Sequence, residues 1–134
     1  MSDINEIRRL LTFAQEFMRA AHSRVDDSSI SSATIVWERE DRDDAVKTIE
    51  RLDQEIEKAA KSGKSADEID RLTEEMGRKA LRIADIFASA AQRILGAGDT
   101  FIFLPAEART SETASSFAAH GAPALAALCR ISLE

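Results

Sequence analysis

The chain has 134 residues, a single cysteine and a formal net charge of −6. That length suits one domain, and one cysteine excludes an intrachain disulfide and fits a reducing compartment. An acidic chain gains no counterion-release energy from nucleic acid, so general DNA or RNA binding is disfavoured, as is an anionic membrane surface. No stretch approaches the ~20 apolar residues of a membrane span, and no apolar run follows the basic pair Arg8-Arg9 as a signal peptide requires, so the expected location is cytoplasmic.

Ser2 or Asp3 can cap a first helix, expected over residues 3–25. Ile4, Leu11, Met18 and Val25 are spaced by seven; Ile7, Ala14 and Ala21 form a second set offset by three, and Leu10 and Phe17 widen the stripe. This heptad pattern predicts a coiled-coil-like seam and, through it, a homodimer. Residues 28–33 read as a loop. The β-branched and aromatic run Thr34-Ile35-Val36-Trp37 predicts a short strand over 34–37. Residues 26–44 carry two basic and seven acidic groups, which places most of the excess negative charge in this one segment. Asp41, Asp43 and Asp44 sit where they can cap a second helix and favour its dipole.

Residues 43–96 predict a helical hairpin. Apolar positions recur at Ala45, Ile49, Leu52, Ile56 and Ala59, then at Ile69, Leu72, Met76, Ala80, Ile83, Phe87, Ala91 and Ile94. Steps of three and four put each set on one helix face. Between them stands Lys61-Ser62-Gly63-Lys64-Ser65. A phosphate loop would need a glycine where Lys58 stands and a strand before it; a glycine C-cap followed by a serine N-cap accounts for the same residues. From Ala80 to Leu95 the pattern is apolar on more than one side, with Leu81, Ala84, Ile86 and Ala88 joining the main stripe, so this half should lie deepest, with Phe87 and Ile83 in the core. Residues 100–104, Thr-Phe-Ile-Phe-Leu, predict a buried strand able to pair with 34–37. A short helical tail over 111–130 follows, broken at Gly121, and Ile131 with Leu133 alternate as a further short strand would. The expected fold is thus a single domain, 1–134, mainly α with a minor β component: an N-terminal amphipathic helix, an antiparallel helical hairpin, two or three short strands and a short helical tail.

Candidate chemistry is sparse. His22 and His120 have no metal-ligating neighbour at useful spacing, and Cys129 beside Leu125 and Leu128 reads as an inert buried thiol. Glu74, Glu75 and Asp85 share one helix, with Glu50, Asp53, Glu55 and Glu57 on its expected partner; carboxylates so placed suit a hard cation. Thr73-Glu74-Glu75-Met76-Gly77-Arg78 and Arg82-Ile83-Ala84-Asp85-Ile86 resemble, over about 15 residues, the Glu-Glu-x-x-Glu and Glu-x-x-Asp elements of MazG-type pyrophosphohydrolases. Arg78 and Arg82 stand at two positions where that family has Glu. The resemblance implies Mg²⁺ held by Glu74, Glu75 and Asp85, and a divalent-metal-dependent nucleotide pyrophosphohydrolase of all-α type.

The other candidate site is Trp37 with Glu38, Glu40, Asp41, Asp43 and Asp44, an aromatic anchor amid acids that can steer a basic partner. Taken together the residues favour a small cytoplasmic protein-binding module of adaptor, chaperone or inhibitor type, without cofactor or catalytic residues, over the hydrolase.

Overall fold

The computed structural model describes residues 4–27, 47, 50–52, 54–55, 57–131 and 133. They are mainly helical: α1 (Ile4–Asp27), α2 (Ala66–Leu95), three 3₁₀ turns η1 (Ala97–Asp99), η2 (Phe101–Phe103) and η3 (Ala106–Ala108), then α3 (Ser111–Ala119) and α4 (Pro123–Ile131). Between α1 and α2, helical conformation is described at 47, 50–52, 54–55 and 57–61.

The apolar stripe of α1 is buried inside the chain. Ile7, Leu10, Leu11, Ala14, Phe17, Met18 and Ala21 are all no more than 1% exposed. The face that meets them on α2 is built largely of small residues, including Gly77, Ala80, Ala84, Ala88 and Ala91. Small side chains let two helix backbones approach closely, and Gly77 marks the tightest point: a Cβ there would overlap Ile7 Cγ2. Ten residues further along both helices, Phe17 meets Phe87 edge-on, with ring centroids 6.1 Å apart at 84°. Both contacts advance together, so α1 and α2 run parallel. The heptad stripe is therefore not a spare surface. The coiled-coil dimer expected from it loses its basis, because the seam is covered by α2 and the turns that follow.

The punctuation of α2 is local chemistry. Lys61 is the last helical residue before a turn at Ser62-Gly63, where Gly63 takes φ +79°. Ser65 Oγ then accepts from Glu68 N–H at 3.3 Å, with Asp67 and Glu68 in the first turn. Gly96, at φ +86°, closes the helix by donating to Gln92 O at 2.9 Å. Phe87 is 1% exposed, in the core as expected, while Ile83 is half-buried against it.

Residues 100–104 do not form the expected strand. Phe103 N–H donates to Thr100 O and Leu104 N–H to Phe101 O, the short-range pattern of a 3₁₀ turn. The Arg109 guanidinium donates to Ile102 O and Leu104 O, each at 2.8 Å, and lies over the Phe101 ring. Carbonyls that a neighbouring strand would have satisfied are met locally, so an apolar β-branched run folds without a sheet. Ile131 likewise ends α4 instead of entering a strand. No strand occurs among the described residues; the expected strand at 34–37 lies outside them.

The helical tail follows the reading closely. Thr110 Oγ1 accepts from Thr113 N–H at 3.1 Å to start α3, and Gly121, at φ +85°, separates α3 from α4. Phe117, Leu125, Leu128 and Cys129 bring both helices into the core.

Gly77→Ala tests the close approach. Alanine favours a helix over glycine by about 1 kcal/mol, but overpacking costs ~1–3 kcal/mol. Urea denaturation should show a net loss in the parent chain. The same change should be neutral or stabilising once Ile7→Ala has removed the obstructing methyl; an equal effect in both backgrounds would place the two helices further apart.

Candidate functional site

Asp85 is the most informative titratable residue described. It leaves α2 on the side that faces α4, half-buried, and its Oδ1 accepts from Leu125 N–H at 2.9 Å. The Ala124 amide also faces this carboxylate and lowers its pKa. Helix α4 needs this help. The residue before it is Ala122, which has no side-chain acceptor, and Pro123 has no N–H. The first turn of α4 is thus capped by a carboxylate forty positions earlier in sequence. Gln92 Nε2, two turns further along α2, donates to Ala124 O at 3.2 Å and fixes the same corner. Burial pushes the Asp85 carboxyl above its ordinary value, and the Leu125 and Ala124 amides pull it only part of the way back.

The carboxylates expected to hold Mg²⁺ are not brought together. Glu74 Oε1 pairs with Arg78 Nη2 at 3.1 Å, and Glu75 is exposed. Eleven residues separate Glu74 from Asp85, about 16 Å along a helix. Across from them, Glu50 pairs with Arg19 at 3.0 Å, Glu55 and Glu57 are exposed, and Asp53 lies outside the described residues. Among the described residues no group of three or more His, Cys, Asp or Glu side chains is placed to hold a metal ion.

The remaining titratable candidates have structural surroundings. Glu6 on α1 accepts from Arg9 Nη2 at 2.6 Å and from Ser116 Oγ at 2.5 Å, which ties α1 to α3. The Arg9 bond, then the Ser116 bond, hold its carboxyl below the ordinary value. His120 follows α3, and its Nδ1 is buried without a hydrogen-bond partner. Cys129 is fully buried, and burial pushes its thiol up to about 11, so it remains protonated and unreactive. The His22 side chain lies outside the described residues.

So do Trp37, Glu38, Glu40, Asp41, Asp43 and Asp44, the candidate protein interface. The structure describes an open hollow of about 270 Å³ between residues 55–62 and α2, floored by Ala59, Leu72 and Met76 and edged by Lys58 and Lys64. A further surface was missed by the sequence reading. Ile86, expected to join the buried stripe, is 50% exposed. It sits on the face of α2 opposite α1, among Arg78, Arg82 and Arg93, all exposed. The signal was available: these arginines recur at helical spacings of four and eleven.

No protein-family model, curated protein or solved structure matches this chain. No helix among the described residues is long and apolar enough to cross a membrane.

A raised carboxyl pKa means that the folded chain holds this proton more tightly than the unfolded one. The contribution of Asp85 is therefore full below the ordinary value of 3.8 and is lost as pH rises through the raised one. Asp85→Asn keeps an acceptor for α4 but cannot titrate. In urea denaturation across this range, the parent should lose stability relative to Asp85→Asn as pH increases. Asp85→Ala, which orphans the Leu125 amide, should cost about 1 kcal/mol. A parent that instead gains on Asp85→Asn with rising pH would show that the amide bonds outweigh burial and hold the carboxyl below its ordinary value.

Proposed function

We propose that this chain is a small non-enzymatic protein-binding module, of adaptor, chaperone or inhibitor type, acting through helical faces and the acidic segment around Trp37 in the cytoplasm. The observation that carries this reading is the engagement of Asp85, Glu6 and Cys129 in holding the fold. The first caps α4, the second joins α1 to α3, and the third is a neutral thiol in the core. These three side chains have packing roles, and the exposed carboxylates Glu55, Glu57 and Glu75 do not gather into a metal-holding group among the described residues.

The reading includes an antiparallel helical hairpin over 43–96. Parallel α1 and α2 require the chain between them to return along the whole core. Glu50 pairs with Arg19 late in α1, whereas Ala59 shares a hollow with Leu72 and Met76 early in α2. Leu52 packs on the core between these points. These described contacts support a return helix that runs back from the end of α1 towards the start of α2.

The test is partner capture followed by kinetics. The tagged chain should enrich a protein whose binding is weakened at least ~30-fold by Trp37→Ala, the scale of an interface anchor. Glu40→Lys with Asp43→Lys should slow association and flatten its salt dependence, leaving the melting temperature nearly unchanged. Mg²⁺-dependent nucleotide hydrolysis that disappears in Glu74→Gln would overturn the reading in favour of the hydrolase.

A further inference from the structure

We propose that the outer face of α2 is a second docking surface, a strip that takes an acidic amphipathic helix of a partner protein. This rests on the binding-module reading but uses a different face from the acidic segment. Arg71, Arg78, Arg82, Ile86 and Arg93 are all exposed. At 3.6 residues per turn they fall within a sector of roughly 80°, along about 33 Å of helix. Glu75 is the one acid in that sector. Arg78 is paired with Glu74; Arg71, Arg82 and Arg93 make no ion pair among the described residues. Arg82 and Arg93, without an ion pair among the described residues, flank a large apolar side chain that is half in water.

The spacing chooses the occupant. Arginines separated by seven, four and eleven residues stay in phase with a helix lying alongside, whose carboxylates recur at the same intervals. Each guanidinium can then take a carboxylate in a two-pronged bond, with Ile86 receiving an apolar side chain between them. A polyphosphate track has no use for Ile86, and it meets a chain of net charge −6. A second copy docking by this same strip would set guanidinium against guanidinium.

The probes are synthetic. One is a 20-residue helical peptide with glutamates at helical i, i+4, i+7 and i+11 positions around a leucine. The second has the same composition in scrambled order, and the third is a single-stranded oligonucleotide of equal charge. Titrated by fluorescence anisotropy at low salt, the patterned peptide should bind at least about fivefold more tightly than the scrambled one. Arg82→Glu with Arg93→Glu should weaken it about tenfold, and Ile86→Ser should weaken it less. Circular dichroism of these variants should be unchanged, since all three side chains are exposed. Amide chemical shifts of the unaltered protein should move along 78–93 on peptide addition, a readout that needs no variant to fold. Equal binding of patterned and scrambled peptides, tighter binding of the oligonucleotide, or self-association of the full chain abolished by the arginine changes would each overturn the proposal. Trp37→Ala should leave peptide binding unaltered, so failure of this strip and failure of the acidic segment are read separately.

Discussion

The cap that Asp85 places on α4 is the constraint on which the second half of the fold depends. A helix beginning Ala122-Pro123-Ala124-Leu125 has no acceptor of its own for its first amides, and an uncapped buried helix end is costly. The acceptor comes from the middle of α2, so α4 can start only where Asp85 reaches it. Once the start is set, Leu125, Leu128 and Cys129 fall into the core and Gln92 closes the corner from the other side. Position and orientation of the tail thus follow from one carboxylate, held at the expense of its own solvation.

The same bond decides how the chain's chemistry is read. A half-buried carboxylate that accepts a backbone amide at a packed corner, and belongs to no metal-holding group among the described residues, is not placed as part of a hard-cation site. Glu6 is used comparably, at the junction of α1 and α3. With these acids inside the architecture, the reactive possibilities retreat to exposed side chains, and exposed side chains here are arranged as helix faces. The outer strip of α2 is basic, whereas the sequence around Trp37 is acidic.

Much of the helical framework was legible. The heptad pattern of α1, the serine that starts α2, the glycine that ends it and the proline that opens α4 are local signals, and local physics determines them. Residues 100–104 were misread because a β-branched, aromatic run says only that backbone and side chains want burial. It was Arg109, several residues on, that supplied the bonds a sheet would have given. The Ile86 error has a related cause: on a helix apolar on several sides, periodicity does not tell which side a neighbour will leave open. Gly77 and Asp85 carried signals that went unused. A glycine inside a strong helical pattern points to close approach, and a helix start with neither a capping side chain nor a free first amide calls for an acceptor from elsewhere. The interface expected around Trp37 lies outside the described residues.

Amide hydrogen exchange at Leu125 tests the central claim most directly. First-turn amides without an acceptor exchange close to the rate of an open chain, whereas a capped one is released only when the cap opens. The account predicts strong protection at Leu125, unchanged by Mg²⁺ and abolished by Asp85→Ala while the amides of α1 stay protected. Fast exchange at Leu125 in the unaltered chain, or protection that changes when Mg²⁺ is added, would mean that Asp85 is free to do something other than hold the fold.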